Sequence, residues 1–303
     1  MKGGEIWWMI MLIITQTQKS PTEIPRTTGT RAKNEWPTYE AHVSKVKCPV
    51  HTIPVQIVTA LDHRAKPQTD MVNRSYQHEY AEVATDRLQK LYGTMATINV
   101  WEPVVGNSGE LSLAQVWITS GDYETKDLNT IEVGWQVCEV FYKDNKPRLF
   151  IYWTNQLYPR SGNWWLRVGT DLVGYWPREL FTTLGDHARK IDWGGEIIDS
   201  ESFGRHTKTQ MGSGRFPQEG FGNASYFRNI QVVDYTCSFQ PTPELFTHAT
   251  STAYYDVKNL HRDELGTHFF YGGPGFGHTH SGVVSLSFSQ FFLYLCFSFF
   301  III

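Results

Sequence analysis

Cysteine is scarce in this chain. Only Cys48, Cys138, Cys237 and Cys296 occur in 303 residues, and no two form a CxxC pair. That spacing argues against a zinc ribbon or a thioredoxin-like redox motif, and it fixes no disulfide connectivity. An excess of one charge is missing too. The 27 Lys and Arg nearly balance 30 Asp and Glu, for a formal net charge of −3, so no basic field exists to attract nucleic acid. No serine sits in a G-x-S-x-G elbow and Cys138 has no evident His partner, which leaves nucleophilic hydrolysis without its residues. Gly212-Ser-Gly214 lacks the third glycine and the strand–turn–helix setting of a dinucleotide loop, so it reads as a turn. His278-Thr-His280 offers two imidazoles but no third ligand at natural spacing. Neither a cofactor nor a metal is therefore expected.

Aromatics and glycine are plentiful, with 11 Trp, 15 Tyr, 18 Phe and 25 Gly, a composition of strands and tight turns. Short runs with period-2 alternation recur at Thr94–Trp101, Ser112–Thr119, Asn129–Val137, Arg148–Trp153, Asn163–Val168, Ile191–Ile198 and Tyr226–Asp234. Arg178–Lys190 is the best helix candidate: Pro177 suits a helix start, and Leu180, Leu184 and Ala188 recur at helical spacing. One short helix among so many strands predicts an all-β, antiparallel β-sandwich.

The ends differ from this middle. Residues 1–20 hold the apolar run Ile6–Ile14 and read as a signal peptide, although Glu5 spoils the basic n-region. Residues 21–90 read as a leader, polar up to about Lys47 and loosely ordered over Leu61–Arg87. The dense region spans 91–277. Residues 278–303 form an apolar tail in which Val283–Ile303 carries no charge and is long enough to span a bilayer. A tail anchor, a GPI signal and a mis-joined gene model are the readings open for it, and the last is favoured. Asn73-Arg-Ser and Asn223-Ala-Ser are glycosylation sequons, compatible with secretion.

Carboxylates are the remaining chemical candidates. In Asn129–Val137, alternation puts Ile131, Val133, Trp135 and Val137 on one face and Glu132, Gly134 and Gln136 on the other. Ile191–Ile198 repeats the arrangement, with Asp192, Gly194 and Glu196 opposite Ile191, Trp193 and Ile197. Two such strands on one cleft would pair Glu132 with Glu196, one ionised as base and one holding a proton, to activate water and protonate a leaving nitrogen. Ordinary solvated acids are the alternative, and the sequence does not show that the strands are neighbours.

The same stretches resemble the plant neprosin family, glutamic peptidases that cut at proline. The resemblance is carried by Tyr92–Pro103, Asp127–Val137, Arg148–Thr154, Gly162–Leu166, Val173–Pro177, Trp193-Gly-Gly-Glu196, Thr209–Gly214, Phe216–Gly222, Ala224–Gln231 and Tyr271–Gly275. Cys48–Pro54 resembles the end of the family's activation segment. The resemblance implies a secreted, monomeric β-sandwich made as a proenzyme, acting on proline-containing peptides at acid pH without a metal. Its catalytic glutamates map onto Glu132 and Glu196. Gln136 is then a candidate for holding the water or oxyanion, and Trp193 and Tyr152 are candidates for packing on a prolyl ring. Membrane attachment follows only from a genuine tail.

Three departures accompany the resemblance. An inner, Cys-containing block of the family is reduced to Asn155–Ser161, so part of one sheet is expected to be missing. Tyr254 stands where the family has a cysteine, so one disulfide is expected to be absent. The apolar tail begins where the resemblance stops. An inactive relative that binds peptide or cell-wall polymer is the second reading.

Overall fold

The computed structural model describes residues 6–15, 76–277 apart from 88, 123, 155–162, 170, 201–204 and 265, and 299–302. Cys48, Cys296, the Asn73 sequon, His278, His280 and the shortened Asn155–Ser161 stretch lie outside these residues.

The strands in chain order are β1 (Ile6–Thr15), β2 (Gln77–Thr85), β3 (Gly93–Val100), β4 (Ser112–Ser120) and β5 (Asn129–Val137). A four-residue helix, α1 (Glu139–Tyr142), leads to β6 (Arg148–Thr154), β7 (Asn163–Val168), β8 (Asp171–Pro177) and β9 (Lys190–Asp199). Then follow β10 (Ser225–Val233), β11 (Phe239–Pro241), β12 (Leu245–Ala249), β13 (Asp256–Asp263), β14 (Gly266–Gly272) and β15 (Phe299–Ile302). They make two sheets. One runs β13-β14-β10-β3-β1-β15-β7-β8, with β11 on β10; the other runs β12-β2-β9-β4-β5-β6. Apart from the parallel β1–β15 pair, the pairings are antiparallel, so the chain is an all-β sandwich.

Alternation builds the core between the sheets. Ala81 and Val83 of β2, Ala114, Val116 and Ile118 of β4, Ile131, Val133 and Trp135 of β5, and Ile191, Trp193 and Ile197 of β9 face inward. They join one cluster with Ala96 and Ile98 of β3, Leu166 of β7, Phe227 of β10, and Phe269 and Tyr271 of β14. Two of the large buried rings anchor their polar corners: Trp135 Nε1 donates to Asn99 O at 2.9 Å and Trp164 Nε1 to Leu184 O at 3.0 Å.

Three elements differ from the sequence expectation. Arg178–Lys190 is not an α-helix; only Arg178–Leu180 makes a 3-10 turn. The backbone N–H groups of Thr182 and Leu184, which a helix would need, are instead taken by Asn129 Oδ1 at 2.7 and 3.2 Å, and Ala188 bridges to Leu91. The apolar positions Phe181, Leu184 and Ala188 still reach the core, but on irregular backbone. The α-helix stands at Glu139–Tyr142 instead. Second, the region read as loosely ordered contains β2, which pairs with β9 over eight positions, Gln77 to Ala84.

Third, the apolar ends enter the first sheet. β1 pairs with β3 and with β7, and β15 with β1 and β7, so both ends stand between β3 and β7 in the sheet. A ten-residue apolar run is too short to cross a bilayer as a helix and suits a strand. Among the described residues no helix is long and apolar enough to cross a membrane. Cys138 is a free thiol, and Tyr254 stacks on His206 with ring centroids 3.6 Å apart.

Candidate active site

The outer face of the second sheet carries the polar residues of five consecutive strands, and strand register fixes their positions. Leu113 of β4 lies between Glu196 of β9 and Gln136 of β5. Two residues along, Gln115 lies between Gly194 and Gly134; two further, Trp117 lies between Asp192 and Glu132. β2 adds Tyr80 beside Glu196 and Glu82 beside Gly194, and β6 adds Tyr152 beside Glu132. Glu132 and Glu196 therefore stand at opposite corners of a patch centred on Gln115. A strand spacing of about 4.8 Å and a rise of about 3.4 Å per residue put their Cα atoms roughly 16 Å apart.

The two glycines are dictated by the sheet itself. A Cβ on Gly134 would lie 1.8 Å from the carbonyl oxygen of Ala114, and one on Gly194 would lie 2.5 Å from that of Ala81. Any side chain there would push β5 off β4 or β9 off β2. The result is a floor low on both sides of Gln115. Beside it is a depression lined by Glu82, Gln115, Trp117, Asp192 and the Gly194-Gly195 backbone.

The two glutamates have different surroundings. Glu196 is 9% exposed, and both of its oxygens are engaged. His78 Nδ1 lies 2.5 Å from Oε1, and Gln115 Nε2 donates to Oε2 at 2.9 Å. The same contact with Glu196 raises the His78 pKa above its ordinary value, against the opposing effect of burial. Gln115 is 5% exposed, and its Oε1 is buried with no hydrogen-bond partner. An amide fixed at one end and unsatisfied at the other keeps one hydrogen-bond acceptor unused.

Glu132 accepts a hydrogen bond from Thr130 Oγ1 at 3.0 Å. Burial pushes its pKa up to about 7; the Thr130 contact opposes this, and the charge of Glu196 adds to it. Its carboxyl is thus a proton carrier over the whole acid range. Asp192, level with Glu132 across Trp117, is also held up at about 7 by burial and by the charge of Glu82, while Lys190 Nζ stands 2.5 Å from it.

Of the residues singled out from sequence, Glu132, Glu196, Gln136 and Tyr152 share this outer face. Tyr152 is 43% exposed beside Glu132, whose charge, after burial, raises its pKa. Gln136 is level with Glu196, but its amide nitrogen donates to Tyr142 Oη at 2.6 Å, toward α1. Trp193 belongs elsewhere. It is 0% exposed in the core, one residue out of phase with Glu196, and offers no surface to a ligand. Gln115 and His78 escaped the sequence reading. Gln115 was visible as a polar residue on the alternating strand Ser112–Thr119, but nothing local says that β4 lies between β5 and β9. His78 sat in a stretch too polar to show β2.

Comparison with known families matches two stretches of the chain, residues 108–160 and 157–274, to the family described as Neprosin. They take in Gln115, Glu132 and Glu196, and they overlap at residues 157–160. The chain belongs to the neprosin family.

Proposed function

We propose that this chain is an acid-active glutamic endopeptidase that cleaves peptide bonds at proline. The observation that carries the reading is the pair of glutamates held apart in character on one sheet face. Glu132 keeps its proton up to about pH 7, while both oxygens of Glu196 are held by His78 and Gln115. This division assigns the roles. A water held by Gln115 Oε1 attacks the amide carbonyl, and Glu196 accepts its proton. Glu132 delivers its proton to the departing nitrogen as the C–N bond breaks, so that one water is consumed and two termini are released. The sheet floor at Gly134 and Gly194 leaves room for an extended chain, and the exposed ring of Tyr152 beside Glu132 gives a prolyl ring a flat surface to pack on.

The test is hydrolysis of a proline-containing peptide beside Glu132→Gln and Glu196→Gln. Turnover in the parent that both variants lose supports the reading. A folded parent that binds the peptide without cleaving it turns the reading to a peptide-binding sandwich. Secretion rests on the sequence pattern, and a leader cut away before residue 21 would remove β1 from the sheet.

A further inference from the structure

The inner face of β2 and β9 stops being apolar at one end. In β2 the inward series Val83, Ala81 continues to Glu79; in β9 the series Trp193, Ile197 continues to Asp199. The two acids are 8% and 6% exposed. The segment after β9 brings His206 onto them, and each of the three residues places one ligand atom within 4.8 Å of the others. The cluster lies behind the sheet that carries His78 and Glu196, on its opposite face.

Ring chemistry fixes what His206 offers. Its Nδ1 lies 2.9 Å from the carbonyl oxygen of Thr207, which only accepts, so Nδ1 carries the proton. Nε2 then points at the carboxylates. It stands 3.0 Å from Glu79 Oε1, an ion pair when the ring is protonated, and the buried Glu79 Oε2 has no hydrogen-bond partner. Asp199 Oδ2 accepts from Thr207 N at 3.3 Å. Glu110, close by, is already saturated by Ser200, Thr207, Thr209 and Asn107. Tyr254 stacks on the imidazole and closes the cluster. A buried carboxylate with an unpartnered oxygen, that of Glu79, beside an imidazole tied back through its other nitrogen is the arrangement that metal-ligating histidine adopts.

We propose that Glu79, Asp199 and His206 bind a divalent cation of the zinc type, with two carboxylates and one imidazole nitrogen as ligands and water completing a tetrahedral set. Ligands at about 2.0–2.2 Å from tetrahedral zinc stand about 3.4 Å apart, so side-chain movements of roughly 1 Å close the site. The cation clamps the start of β2 to the end of β9 and to the His206 segment. It takes no part in peptide hydrolysis.

The full chain, stripped with EDTA and exchanged into neutral buffer, is titrated with Zn2+ by calorimetry. One saturable equivalent per chain is expected, with a rise of about 5 °C in Tm when zinc is well above its Kd. Glu79→Gln and His206→Gln are expected to weaken binding at least 100-fold. Absence of a saturable equivalent in the parent, or unchanged affinity in either folded variant, overturns the proposal. Co2+ absorption of the parent alone decides the matter if the variants fail to fold: intense tetrahedral bands support the site, and the weak spectrum of hydrated Co2+ overturns it. Metal content is the readout throughout, so a chain without peptidase activity leaves this test intact.

Discussion

Replacing Glu132 by Gln isolates the energetic consequence of burying that carboxyl. Glutamine keeps the shape and can still accept from Thr130 Oγ1, but it carries no charge. In the folded chain the Glu132 pKa is about 7 against an ordinary value of 4.5. The folded state therefore holds a proton between those values that the unfolded state has released, and stability falls as pH rises through the window. The 2.5-unit difference, at about 1.36 kcal/mol per unit, amounts to about 3 kcal/mol of stability lost by pH 8 and retained at pH 4. Glu132→Gln removes that loss. Urea unfolding at both pH values is expected to show equal midpoints for parent and variant at pH 4. At pH 8 the variant should be more stable by about 3 kcal/mol, or roughly 6–12 °C in Tm for a domain of this size. Other titrating groups, Asp192 included, are common to both proteins and cancel in the difference. A variant equal to the parent at pH 8, or less stable than it, would refute the claim that Glu132 is a strongly desolvated acid.

Two further perturbations test the site and the sheet. Gln115→Leu leaves Glu196 Oε2 without its donor and removes the unpartnered acceptor at the centre of the patch; kcat for a proline peptide is expected to fall about 100-fold with little change in KM, and equal kcat would remove Gln115 from the mechanism. A chain beginning at residue 21 loses β1, which pairs with β3 at four positions and β7 at six. Its urea midpoint is expected below that of the full chain, and equal midpoints would show that β1 contributes nothing to the sheet.

Much of this fold is legible in the sequence because strand alternation is a local property. Asn129–Val137 and Asn163–Val168 coincide with their strands, and Ser112–Thr119 falls one residue short. The pairing of acid and glycine on one face of β5 and again on β9 was equally local. Strand order is not. That β4 lies between β5 and β9, which makes Gln115 the centre of the patch, depends on contacts across 81 residues such as Gln115 with Glu196. Tertiary partners also overrode local preference: Asn129 Oδ1 captures the backbone donors that would have made Arg178–Lys190 a helix. β2 was hidden because Glu79 stands at an inward position where alternation calls for an apolar residue, and it is Glu79 that points to the cation cluster. Trp193 illustrates the reverse. Its phase relative to Glu196 already placed it in the core, and only its aromatic character suggested a ligand surface.

The proposed mechanism has Glu132 and Glu196 together cutting peptide bonds at proline. Its most direct measurement is turnover of a proline-containing peptide by the parent, Glu132→Gln and Glu196→Gln at about pH 3 and across neutrality. Parent activity is expected in the acid range and should decline as pH rises through about 7, where Glu132 loses its proton, with both variants at least about 1,000-fold slower at every pH. A folded parent no faster than either variant at any pH would contradict it.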